Sequence, residues 1–218
     1  MRLDFLLLKP VFLLLGALLL IGLAMPVQAN SKARDGQNWW LQVAEPGGEL
    51  LVSVPMPIGA GWCLAWNHSV EGFTVHDCYR NQTGRMMLER SHLPDFAAGL
   101  DHIPGRGRQI SDGHGGYWIE DINEAVPGNR YRLRVGSEKV NHRLVSHGEP
   151  GIGQLLEDAE QAGCEVLAPE PETESAAKAE AGVETRAATV ISLSNLAANR
   201  GVTVQLTAGA PCYSLDAP

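Results

Sequence analysis

The amino-acid sequence predicts an all-β fold, an antiparallel β-sandwich or partly open barrel, with a short helix and a disordered insert near the C-terminus. Three observations carry this. Turn residues recur at short intervals from Trp39 to Val145, namely Pro46-Gly47-Gly48, Gly59-Ala60-Gly61, Asn81 to Gly84 and Pro127-Gly128-Asn129. The segments between them alternate apolar and polar residues, as half-buried strands do. Strong helical periodicity is absent from the same region.

The chain opens differently. Arg2 and Lys9 precede an apolar run from Val11 to Ala24, and Val27-Gln28-Ala29 supplies small residues before a cleavage point. Residues 1–29 therefore read as a secretory signal peptide, and the rest as periplasmic or secreted. A retained anchor is the alternative, although about twenty apolar residues are needed to span a bilayer. Cleavage removes Arg2, Lys9 and Asp4 from 17 basic and 25 acidic side chains, leaving 15 and 24, a formal charge of −9. So acidic a surface repels phosphate backbones, which excludes nucleic acid as a partner, and beyond residue 29 no apolar stretch approaches membrane-spanning length, so membrane contact is expected to be at most peripheral.

Candidate strands are 41–43, 49–54, 62–68, 73–79, 86–90, 117–122, 131–135 and 140–145, which makes residues 38–146 the β-domain. The clearest local structure is a hairpin. With His68 facing Phe73 across the loop 69–72, Trp66 faces Val75, Trp62 faces Tyr79 and Cys63 faces Cys78. That register sets aromatic residues on one face and brings two cysteines directly opposite, where they can bridge. An even cysteine count in an exported chain favours disulfides. A Cys63–Cys78 bridge is predicted, and by elimination Cys164 pairs with Cys212.

Beyond residue 146 the composition shifts. Residues 147–167 form a helical extension, with a short helix over 153–163. Residues 168–188 hold almost no large apolar side chains and are predicted to be a disordered acidic insert. Strands over 189–193 and 202–206 then return to the sheet within the closing segment 189–218.

Chemistry-bearing residues are scattered. Residues 99–116 read as one long glycine-rich loop carrying Asp101, His102, Arg106, Asp112 and His114, and loops of such length are often functional. Two imidazoles and two carboxylates there could form a metal-dependent hydrolase, but none of the histidines has the spacing that sets two ligands on one face. Arg106 within Gly105-Arg106-Gly107-Arg108 could hold an anion, or be a cationic turn. His68, Ser69 and Glu71 suggest a nucleophile, base and acid. Adjacent strand residues point to opposite faces, however, so a triad is disfavoured, and the group reads better as a polar binding cluster. The tryptophans read as core. No catalytic residue is assigned, no cofactor is expected, and a non-catalytic role is preferred.

At the hairpin, Trp66-Asn67-His68-Ser69-Val70-Glu71 resembles the "x-H-S-V/I-E" segment of the bacterial family catalogued as domain of unknown function 1850. Phe96 to Leu100 is similar to its "G-A-G-(M/L)" segment, with Ala97-Ala98 where glycine comes first. Asp112-Gly113, with Tyr117-Trp118 after it, resembles "D-G-x-W", and Asn141 to Leu144 resembles its last core strands. The likeness covers roughly residues 47–146. It implies a small exported protein, often encoded near TRAP-type transporters of the TAXI class, with no established activity. The expectation is an accessory or binding module whose partner is a TRAP-type transporter subunit or a small organic anion, with His68, Ser69, Glu71, Gly99, Arg106 and His114 as its working surface. A ligand-free structural envelope protein is the remaining alternative.

Overall fold

The computed structural model describes residues 38–94, 104–169, 172–173 and 189–209. The segment read as a signal peptide, Phe96 to Leu100, Asp101, His102, Cys212 and nearly all of the expected insert fall outside them. Within them the fold is an antiparallel β-sandwich, as the turn spacing predicts. Strands β1 (Asn38–Ala44) and β2 (Leu50–Pro55) come first, followed by β3 (Gly61–Asn67), β4 (Thr74–Gln82), β5 (Arg85–Leu93), β6 (Arg108–Ser111), β7 (Tyr117–Glu120), β8 (Glu124–Ala125), β9 (Arg130–Arg134) and β10 (Arg143–His147). Helix α1 (Ile152–Gln161) then precedes β11 (Glu172–Thr173), β12 (Thr189–Ser192), helix α2 (Leu193–Ala197) and β13 (Gly201–Gly209).

The strands divide into two sheets. A four-stranded sheet runs β2-β1-β13-β9, and a nine-stranded sheet runs β11-β12-β10-β3-β4-β5-β7-β6, with β8 paired to β5. Leu41, Val43, Val54, Val204 and Leu206 from the small sheet are fully or almost fully buried, as are Trp62, Val75, Met86, Tyr117 and Ile119 from the large one. Burial of these faces drives the two sheets together. Tyr131 of β9 stacks on Tyr79 of β4 at 5.2 Å, and Tyr79 stacks on Trp62 at 5.6 Å, so aromatic rings tie one sheet to the other. The apolar face of α1, formed by Ile152, Leu155, Leu156 and Ala159, joins the same core.

The β3–β4 hairpin has the register read from the sequence, with Trp66 opposite Val75, Trp62 opposite Tyr79 and Cys63 opposite Cys78. Cys63 and Cys78 form the predicted disulfide. Cys164 is also disulfide-bonded, but Cys212, the partner predicted for it, lies outside the described residues. The hairpin is central to the large sheet, so its second face is covered too, with Ala65 and Cys78 fully buried.

Three expectations need correction. The stretch read as one loop over 99–116 contains β6, whose four residues are all exposed and so carry no apolar alternation. The strand expected to reach Leu193 stops at Ser192, whose hydroxyl accepts from the Asn195 amide at 3.2 Å and caps α2. The two closing strands do not return to one sheet. Strand β12 pairs with β10 in the large sheet, whereas β13 lies between β1 and β9 in the small one. Within the insert, Glu172–Thr173 pairs with β12. No helix among the described residues is long and apolar enough to cross a membrane.

One buried polar side chain fixes how the large sheet meets the β2–β3 connection. Asn81 is fully buried, donates to the Met56 carbonyl at 2.7 Å and accepts from the Gly84 amide at 2.8 Å. Thr83 and Gly84, both at positive φ, make the two-residue turn between β4 and β5. Gly84 is required there twice over, since a Cβ would also overlap the Trp39 ring.

Candidate functional site

Strand β9 reads Arg130-Tyr131-Arg132-Leu133-Arg134. Tyr131 and Leu133 pack against the core, so the period of two turns all three arginines outward, where they are exposed. The turn before β9 is anchored by Asn129, which accepts from the Met86 amide at 2.9 Å and donates to the Gly84 carbonyl at 2.8 Å. Beside β9, β13 places Gln205 opposite Arg130 and Thr203 opposite Arg132. The Gln205 side chain in turn donates to the side-chain Oε1 of Gln42 on β1 at 3.1 Å. The result is a groove of about 890 Å³ on the outer face of the small sheet, lined by these groups and walled by Pro46, Gly48 and Leu50 of the β1–β2 turn.

The three arginines differ from most others in the chain. Arg80 pairs with Glu89 at 2.9 Å, Arg90 with Glu120 at 3.2 Å, Arg106 with Glu124 at 2.8 Å, Arg108 with Asp121 at 3.1 Å, and Arg200 with Glu45. Among the described residues, Arg130, Arg132 and Arg134 make no ion pair or hydrogen bond through their guanidinium groups. Alternate strand residues lie ~7 Å apart, so the guanidinium row extends over ~13 Å. In an acidic chain, an unpaired row of planar donors facing an open groove has the geometry and charge that complement a carboxylate or another oxyanion.

A second polar group covers the outer face of the large sheet. Trp118 of β7 lies beside His92 at 4.6 Å and His76 at 6.4 Å, and the Arg90 guanidinium sits 4.2 Å over its ring. His92 bonds Asp112 at 2.8 Å. Burial, then the neighbouring charges of His92, Arg143 and Arg90, pushes the His76 imidazole down to about 4. Burial also lowers the His147 imidazole, with its 2.7 Å bond to Glu89 pulling the other way. Burial raises the Glu89 carboxyl, but Arg80 and His147 outweigh it and hold it below the usual value.

This arrangement has a pH consequence. Between pH ~6.5 and ~4 the unfolded chain takes up a proton at His76 that the fold refuses, so stability falls as the pH drops through that window. The loss from His76 alone is on the order of 2–3 kcal/mol. Denaturant titrations across the window are expected to show this slope, and His76→Gln is expected to flatten it.

The residues singled out from the sequence are not gathered into one site. His68 closes the β3–β4 turn, its Nδ1 accepting from the Glu71 amide at 3.2 Å and its ring stacked on Phe73 at 5.2 Å. Ser69 and Glu71 are exposed on the same turn. Arg106 holds Glu124 through two bonds of 2.8 and 2.9 Å, and its charge also reaches the half-buried Asp77, whose carboxyl is pushed up by desolvation. Asp112 is engaged by the amides of His114 and Gly116 and by His92, which hold its carboxyl below the ordinary range. His114 itself is exposed. Gly99, Asp101 and His102 lie outside the described residues. Arg132 and Arg134 alternate within the strand expected over 131–135 and Arg130 directly precedes it, but the sequence does not show that the three lack acidic partners.

Residues 63–150 match the family model described as a domain of unknown function (DUF1850). Through this segment, less than half of the chain, the protein is similar to that family. The matched segment runs from Cys63 in β3 to just past β10, and so holds the disulfide, the Trp118 cluster and all three arginines of β9. Strands β1, β2 and β13 lie outside it, so the groove joins arginines of the matched segment to glutamines from the flanking chain. No curated protein and no solved structure matches this chain.

Proposed function

We propose that this protein is an exported, non-catalytic binding module that takes a small organic anion in the groove along β9, as an accessory to TRAP-type transport. The observation that carries the reading is the row of Arg130, Arg132 and Arg134, exposed, without acidic partners, and facing Gln42, Thr203 and Gln205. Carboxylates separated by a few methylene groups match the ~7 Å repeat of the row, so a dicarboxylate engages two neighbouring guanidiniums at once. Thr203 and the two glutamines supply neutral hydrogen-bond partners for the rest of such a solute. A Cys63–Cys78 disulfide is compatible with an oxidising compartment beyond the cytoplasm.

Calorimetric titration of the chain lacking residues 1–29 with aliphatic dicarboxylates tests this. Binding is expected to weaken as salt rises, because the row is exposed and screened. Arg132→Gln, at the centre, is expected to weaken binding about tenfold, equivalent to about 1.4 kcal/mol. His68→Ala, at the distant turn, is expected to leave it unchanged. Binding unaffected by salt and by Arg132→Gln would remove the groove as the site.

A further inference from the structure

Three neighbouring strands of the large sheet bring two sulfurs and an imidazole together. Cys63 of β3 faces Cys78 of β4, and two residue pairs beyond Val145, which faces Cys63, β10 places His147 opposite Gly61. The two sulfurs and one ring nitrogen of His147 all lie within 4.8 Å of one another, and all three residues are buried. His147 also bonds Glu89 Oε2 through Nε2 at 2.7 Å, and Glu89 is held in turn by Arg80. An imidazole fixed by a carboxylate beside two sulfurs is the donor set of a soft, tetrahedral cation, with an orienting carboxylate behind the histidine. Because the donors sit on paired strands, sheet register holds them near one another whether or not the sulfurs are bonded.

We propose that, before its disulfide closes, the chain holds one Zn(II) ion on Cys63, Cys78 and His147, with water as the fourth ligand and Glu89 orienting the imidazole, and that oxidation releases the metal. The chain is synthesised with thiols, so the dithiol form precedes the disulfide. Binding displaces one proton from each thiol and leaves a neutral zinc dithiolate, which is cheaper to bury than a bare cation. Closure by an acceptor disulfide balances as zinc dithiolate plus RS–SR plus two protons giving the protein disulfide, Zn(II) and two RSH. The acceptor gains two electrons and the Cys63–Cys78 bond forms. The metal thus shields the two thiols from wrong pairing with Cys164 and Cys212 until their register is set.

The test uses the chain without residues 1–29, reduced with dithiothreitol under denaturant and refolded without oxygen in the presence or absence of Zn(II). Elemental analysis after gel filtration is expected to give one zinc per reduced chain and none per oxidised chain. Co(II) in place of zinc is expected to give a thiolate-to-cobalt charge-transfer band. Cys63→Ser with Cys78→Ser, which keeps Cys164 and Cys212, is expected to lose both signals, and His147→Gln to lose stoichiometric retention. If the reduced chain does not refold alone, one equivalent of zinc is expected to restore its circular dichroism. Zinc on the oxidised chain, zinc on the double serine variant, or a reduced wild-type chain that neither retains zinc nor refolds with it would each overturn the proposal.

Discussion

Trp62→Ala is expected to lower stability by about 3–5 kcal/mol, enough to leave many single domains largely unfolded at 25 °C. The indole is fully buried at the centre of the core. It stacks on Tyr79, which stacks on Tyr131 of the other sheet, so its removal leaves a cavity and loosens the aromatic link between the sheets. Strand β3 carries it between β4 and β10, so neither neighbour can close inward without breaking register. Trp62→Phe, which keeps a ring in place, is expected to cost markedly less. Denaturant unfolding followed by circular dichroism measures both. A change below 1 kcal/mol for the alanine variant would place the core elsewhere.

Removing the Cys63–Cys78 bridge ranks next. The cysteines are 15 positions apart, and in the chain-entropy model a loop of that size constrains the unfolded chain by about 3 kcal/mol. Cys63→Ser with Cys78→Ser is expected to lose at least that much, because the new hydroxyls also lie in a buried part of the sheet. A relaxed unfolded state exposes more surface, so the denaturant m-value is expected to rise with the loss. Equal stability with and without the bridge would mean that β-pairing alone fixes the hairpin.

That hairpin is also the part of the fold most legible in the sequence. Alternation at Trp62, Leu64 and Trp66, matched by Val75 and Tyr79 across a four-residue loop, admits one register in which the aromatic face is buried. Strand β6 was illegible for the opposite reason, since Arg108 to Ser111 are exposed on both sides and carry no pattern. The separation of β12 from β13 was hidden too. A period of two says that one face is covered, not which sheet covers it. At the site, Arg130, Arg132 and Arg134 show their shared face in the primary sequence. What distinguishes them is the absence of acidic partners and the presence of Gln205 and Gln42, contributed by strands more than 70 positions away along the chain. The His68 cluster had the residue types of a site, but its atoms are used in closing a turn.

The central claim is that the β9 groove binds a small organic anion, and amide chemical-shift mapping during a dicarboxylate titration tests it most directly. The expected result is saturable, salt-sensitive shifts concentrated at Arg130 to Arg134, Thr203, Gln205 and Gln42. Saturable shifts confined to the His68–Glu71 turn or to the Trp118 face, or no shifts at millimolar dicarboxylate and low salt, would contradict it.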